Sequence, residues 1–184
     1  MSLKPHDDNN YVSRLYQYYN SRLIDACEDI DEGTSYRSAY KALSKFGFCN
    51  EDLWQYDITK VLNKPSEECY ENSNKTMIKK YKTILPSLYS LQYAIFNNKP
   101  VSIGVAIYDN FLCTKENNYI IPLPSDDNIH VGNHAMLVIN YDNDKRLFKV
   151  LNSWSIEWGL DGYCFFTYDF MLNKIFVFEY WCIE

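Results

Sequence analysis

The sequence predicts an α+β fold, with a helical portion over residues 1–100 followed by an antiparallel β portion over residues 101–184. Three observations carry the prediction. Apolar side chains recur at helical spacing in three stretches before residue 100. From Val101 onward the pattern changes to five short apolar runs separated by turns. Helices gathered in one part of a chain and hairpin-linked strands in the other define the α+β class.

Residues 1–10, MSLKPHDDNN, are polar and acidic and read as a frayed lead-in, neither signal peptide nor transit sequence. Over residues 11–26, Val12, Leu15, Tyr19, Leu23 and Ala26 form one apolar helix face. An acidic loop follows at 29–33. Thr34 or Ser35 then caps a second helix with Tyr36, Ala39, Leu43 and Phe46 on one side, and Gly47 ends it. Asn50 opens a short turn over 51–54, and the polar run 63–80 reads as a long loop. Pro86 opens a third helix that buries Leu88, Leu91 and Ile95 and closes before Lys99 and Pro100. The strands are expected at 101–108, 135–139, 148–151, 163–167 and 175–181.

Composition narrows the class of function. The chain has 184 residues and a net charge of −6, with 24 acidic and 18 basic side chains interspersed and no basic run. That distribution argues against nucleic acid or an anionic membrane surface as a partner. No apolar run approaches the roughly 20 residues of a membrane span. Six cysteines show no CxxC pair, and three histidines supply no metal-ligand spacing, so no metal or cofactor is implied. Free thiols and an intracellular or virion-associated location are the expectation. The 17 tyrosines, with abundant Asn, Lys and Ile, read as the imprint of an A/T-rich genome.

Chemistry concentrates between Gly132 and Phe166. His134 stands at the head of the apolar run 135–139, and Asn152 and Trp154 stand just past the run 148–151. A polar turn at 141–145 joins the two as a hairpin. His134 and Asn152 therefore face each other across neighbouring strands, an arrangement in which an amide oxygen holds an imidazole in one tautomer. Trp154 is placed to cover that hydrogen bond from water and strengthen it. His130 and His6 have no evident partner and read as solvated.

This segment resembles the papain family of cysteine peptidases, in its bacterial and viral forms. The residues that carry the resemblance are Gly132, Asn133, His134 and Ala135, then Asn152, Ser153 and Trp154, then Trp158, Gly159, Gly162 and Tyr163. It extends back through Ser13-Arg14-Leu15, Tyr18-Tyr19-Asn20, Arg37, Ala42-Leu43, Gly47, Cys49, Trp54 and Tyr56-Asp57, and covers roughly residues 12–170. The resemblance implies a two-lobed molecule, with a helical left lobe and an antiparallel β-sheet or barrel as the right lobe. It also implies thiol-dependent hydrolysis of peptide or protein substrates. On that basis His134 is the catalytic acid/base and Asn152 its orienter, Trp154 shields the pair, and Asn133 lines the cleft. Ser155 and Asn133 depart from the pattern, since the family usually carries glycine at both positions.

The family nucleophile is a cysteine at the start of a central helix, where the helix dipole and a neighbouring imidazolium favour the thiolate. That helix is expected before Ser13, where this sequence holds neither Cys nor Gln, so the central cysteine helix is expected to be missing. Cys49, preceding a short helical turn, is the substitute candidate. Cys27 falls at a helix C-terminus, Cys164 and Cys182 fall on strands as buried thiols, and Cys113 falls in a loop. Loss of the central helix would expose apolar faces on the first two helices. Four outcomes are consistent with this: a missing N-terminal segment supplied in trans, self-association, an inactive homologue acting as a peptide- or protein-binding module, or a truncated frame with no function alone.

Overall fold

A computed structural model describes residues 11–184, so the readings for residues 1–10, His6 among them, lie outside the described residues. The chain divides into two compact units, Met1–Tyr81 and Lys82–Glu184. The molecule is α+β, with most helices before residue 100 and most strands after it; a short strand at 81–83 precedes the helix at 88–96, and a helical turn at 168–172 lies between the last two strands. Among the described residues, no helix is long and apolar enough to cross a membrane.

In the first unit, α1 spans Arg14–Ile24, shorter at both ends than the apolar spacing suggested. Ser13 sets the start, because its hydroxyl accepts the Tyr16 N–H at 3.2 Å. Val12 instead lies in an isolated bridge to Asn50 and is exposed. At the other end Ala26 takes φ 55° and leaves the helix. The buried face carries Leu15, Tyr16 and Tyr19, and it also carries Asn20, Ser21 and Arg22. These polar groups are tolerated because backbone carbonyls meet them. Asn20 donates to Tyr16 at 2.9 Å, Ser21 to Gln17 at 2.7 Å, and the Arg22 guanidinium to Ile30 at 2.8 Å and to Val61.

The second helix, α2, spans Tyr36–Phe46 with Ser35 as its N-cap and Gly47 as its C-cap at φ 66°. A Cβ at Gly47 would lie 2.2 Å from the Ser73 carbonyl oxygen, so both conformation and space demand glycine there. Its deepest positions are Ser38, Tyr40 and Ala42; Tyr36, Ala39, Leu43 and Phe46 are only half-buried.

The run 63–80 is not a plain loop, since α3 occupies Glu67–Ser73. Glu67 and Glu68 sit in its first turn, where carboxylates favour the positive end of the helix dipole, and Cys69 and Ser73 are buried one turn apart. Seven residues with so few apolar side chains give too little periodicity to read. The unit's core gathers Tyr16, Cys49 and Cys69, with Leu53, Trp54 and Tyr70 against it.

The second unit is a six-stranded sheet in the order β1-β6-β2-β3-β4-β5. Its strands are β1 (Tyr81–Thr83), β2 (Val101–Tyr108), β3 (His130–Asp142), β4 (Leu147–Leu151), β5 (Tyr163–Thr167) and β6 (Val177–Ile183). The pairings β2–β6, β2–β3, β3–β4 and β4–β5 are antiparallel. Helix α4 (Leu88–Phe96) begins after the Ser87 cap and buries Leu91, Ala94 and Ile95. A fifth helix, α5 (Tyr168–Leu172), is a single turn capped by Thr167 that buries Phe170 and Met171.

The alternating face of β2, with Val101, Ile103 and Val105 fully buried, meets Met136 and Val138 of β3 and Phe148 and Val150 of β4 in one core. Burial of each such side chain contributes about 1.5–3 kcal/mol.

The main departure from the sequence reading is β3, which runs 13 residues rather than five. His134 therefore stands in the strand's interior, opposite Val105, and not at its head.

Candidate active site

The sheet positions the first site residue and a turn positions the second. His134 is fixed by the ladder to β2, where its partner Val105 has no exposed surface. Across the β3–β4 hairpin the last pair is Leu137 with Leu151. Asn152 follows that pair and reaches diagonally toward His134, a separation that polar side chains can bridge. Its own N–H donates to the Gly162 carbonyl at 2.9 Å, which extends the β4–β5 register one pair beyond Leu151 and Tyr163.

The side chains meet with His134 Nε2 at 2.7 Å from Asn152 Oδ1. The same Oδ1 accepts the Ser153 N–H at 2.7 Å. Two donors converging on one atom identify it as the amide oxygen, since the NH₂ group cannot accept. Nε2 accordingly carries the proton, and Nδ1 is the nitrogen left to exchange protons with a reactant. Asn152 is 7% exposed, so this bond lies largely out of water, where it is stronger.

Trp154 covers one face of the imidazole, with ring centroids 4.7 Å apart. The indole is itself supported. Trp158 meets it edge-on at 5.5 Å, Phe111 stacks on Trp158 at 6.3 Å, and Phe111 continues into the core at Phe166, 6.2 Å away. The turn carrying these tryptophans is closed by a Gly162 N–H bond to the Trp158 carbonyl at 2.8 Å. Gly159 takes φ 62°, and a Cβ there would lie 2.3 Å from the Tyr163 oxygen. Ser155 adopts φ 85°, a conformation suited to glycine, and its hydroxyl accepts the Glu157 N–H at 3.2 Å.

Asn133 is exposed on β3, and its Oδ1 lies 3.1 Å from His130 Nε2. His130 is exposed, as the solvated reading expects, but it is not without a partner, and it also meets the Tyr108 ring edge-on at 5.5 Å. A register shift between Ile107 and Tyr108 produces this contact by bringing His130 opposite Tyr108. No sequence signal marks that irregularity.

The thiols fall in different environments. Cys49 lies in the first unit with no exposed surface. Burial first, and then the adjacent Cys69, push its thiol up to about 12. Cys27 is half-buried past the end of α1, its Sγ 3.6 Å from the Arg22 carbonyl. Cys164 and Cys182 are buried on β5 and β6, and Cys113 is half-buried in the segment after Phe111. Among the described residues, no group of three or more His, Cys, Asp or Glu side chains is arranged to hold a metal ion.

Comparison with known proteins follows the same residues. Residues 9–174 match the family model described as papain family cysteine protease. The chain is 29% identical over 194 residues to an uncharacterised peptidase C1-like protein of Acanthamoeba polyphaga mimivirus, a match covering 99% of this chain and 62% of that protein. It is 33% identical over 82 residues to cathepsin C of Schistosoma mansoni, covering 40% of this chain and 18% of that one. The chain thus spans less than two thirds of the length of these curated relatives. Among solved structures, xylellain, a cysteine protease from Xylella fastidiosa, superposes with a TM-score of 0.86 at 29% identity, covering 95% of this chain and 70% of that one. The digestive procathepsin L 3 of the Tenebrio molitor larval midgut shares the fold, at a TM-score of 0.66 and 18% identity over 95% of this chain and 56% of that one.

Proposed function

The chain belongs to the papain family of cysteine proteases, and from that premise we propose that it carries the acid/base half of a thiol-dependent site that hydrolyses peptide bonds in peptides or proteins. The observation that carries this reading is the 2.7 Å bond from His134 Nε2 to Asn152 Oδ1 beneath Trp154. With Nε2–H committed to Asn152, Nδ1 accepts the proton of an attacking thiol, and the amide oxygen stabilises the resulting imidazolium. The thiolate adds to the peptide carbonyl, the C–N bond breaks, and Nδ1–H protonates the leaving amine. A water molecule deprotonated by the same nitrogen then cleaves the thioester. Asn133, exposed beside His134, lines the cleft that receives the peptide.

The nucleophile, in this reading, comes from polypeptide outside these 184 residues, supplied in trans or as part of a longer chain. What supports this is the burial of the Cys49 thiol, which disfavours its thiolate. The same burial favours a second reading, an inactive homologue that binds peptides without turnover.

Intact-mass measurement after exposure to an epoxysuccinyl peptide inhibitor separates these readings. The folded chain alone is expected to gain no adduct. Addition of a synthetic segment with a cysteine at a helix N-terminus is expected to give one adduct on that segment, lost in His134→Ala. A stoichiometric adduct on Cys49 that depends on His134 would instead place the nucleophile within this chain. No adduct in either arm, with peptide binding retained, would leave the inactive homologue.

A further inference from the structure

Two pairs of cysteines are packed together in this chain, and neither is used by the chemistry above. Cys49 and Cys69 share the core of the first unit, both without exposed surface. Cys113 and Cys164 lie in the second unit, Cys164 within its core and Cys113 packed against that core. Cys113 Sγ is 3.5 Å from the Tyr119 carbonyl oxygen and 3.7 Å from that of Tyr163, the residue before Cys164. The two segments are tied on the far side as well. Phe165 N–H donates to Tyr119 at 2.8 Å, and Ile121 N–H donates to Phe165 at 2.9 Å. The two cysteine-bearing segments are therefore held side by side by backbone bonds.

The pair is also asymmetric. Cys164 is fully buried, whereas Cys113 is half-buried. The neighbouring Cys164 thiol holds the Cys113 thiol below its ordinary range, outweighing burial, while burial pushes Cys164 far up.

We propose that Cys113 and Cys164 form an oxidisable dithiol that a small disulfide such as oxidised glutathione converts to a cystine. The Cys113 thiolate attacks one sulfur of the oxidant, forming a mixed disulfide and releasing one thiol. Cys164 then attacks Cys113 Sγ and expels the second thiol. Two protons and two electrons pass from the pair to the oxidant, which leaves as two thiols. Cys49 and Cys69 are expected to remain reduced because neither has exposed surface among the described residues.

The cystine acts on the site through Gly159, against which Cys113 Sγ is packed: a Cβ there would lie 2.9 Å from the sulfur. It ties the segment bearing Phe111 to the strand that follows the Trp154–Trp158 turn, and so fixes the support of the His134 shield. The inference stands independently of peptidase activity.

The test uses the intact wild-type chain. It is incubated with excess oxidised glutathione, denatured, alkylated with N-ethylmaleimide and weighed. The expected result is alkylation of two fewer of the six cysteines, a proteolytic fragment joining Cys113 to Cys164, and full reversal by dithiothreitol. The thermal midpoint of the oxidised chain rises by several degrees. Cys164→Ala is expected to trap glutathione on Cys113. Alkylation of all six cysteines, glutathione persisting on wild-type Cys113, or a crosslink through Cys49 or Cys69 would overturn the proposal.

Discussion

Ser155 offers a direct test of the turn geometry around the site. It holds φ 85° with a side chain, where the family usually has glycine. The left-handed conformation costs a non-glycine residue about 1–2 kcal/mol. Its hydroxyl recovers part of that through an exposed bond to the Glu157 N–H at 3.2 Å, a contact of about 0.5 kcal/mol. Ser155→Ala keeps the strain and loses the bond, and should destabilise the fold by about 0.5 kcal/mol. Ser155→Gly also loses the bond but relieves the strain, against about 0.5–1 kcal/mol of extra unfolded-state entropy. The glycine variant is therefore expected to exceed the alanine variant by about 1 kcal/mol, or about 0.5 M in urea midpoint. Urea unfolding followed by tryptophan fluorescence reads this directly, since Trp154 and Trp158 flank the substitution. An alanine variant as stable as the glycine variant would refute the claim that backbone strain at this position is real.

Three further outcomes are expected. Asn152→Ala leaves the His134 Nε2–H and the Ser153 N–H without their shared acceptor and should cost about 1–3 kcal/mol; nitrogen NMR of His134 should show its proton redistributing between Nε2 and Nδ1, and an unchanged tautomer would contradict the orienting role. Phe166→Ala removes a fully buried ring packed 4.5 Å from Phe170 and 6.2 Å from Phe111, and should lower unfolding stability by about 3–5 kcal/mol in calorimetry. Burial raises the Glu51 carboxyl, but hydrogen bonds from the Arg14 side chain and from the Arg14 and Tyr56 backbones outweigh it and hold the pKa low. Its stabilisation is therefore present above the ordinary carboxylate range and lost as pH falls through the lowered value, and with Arg14 exposed it is about 1 kcal/mol or less. Glu51→Gln should abolish that acid-labile portion, so equal slopes of stability against pH below 5 would count against the pairing.

The sequence was legible where side-chain periodicity and backbone structure are governed by the same force. β2 and β5 match the apolar runs 101–108 and 163–167 because burial alone defines them. β3 was underread because His130, Gly132, Asn133 and His134 are not apolar, yet the ladder to β2 supplies their backbone bonds whatever their side chains. The helices α3 and α5, with seven and five residues, are too short for a 3.6-residue period to emerge. At the site, His134 with Asn152 was readable because hairpin register is a local property. The contacts of His130 with Tyr108 and of Cys113 with the Tyr119 and Tyr163 carbonyls depend on a bulge and on a loop crossing, neither of which leaves a pattern in the chain.

The unequal anchoring of His134 and Asn152 has a dynamic consequence. His134 is embedded in the interior of a long strand, opposite a fully buried valine. Asn152 opens a segment whose path depends on left-handed backbone at Ser155, Gly159, Asp161 and Gly162. Local opening begins where few buried contacts hold the backbone. On this argument His134 is expected to be the fixed side of the site, and residues 153–162 the side that opens first. Amide exchange should be slow through the centre of β3 and fast across that segment, so any adjustment of the cleft to its occupant would come from the tryptophan side.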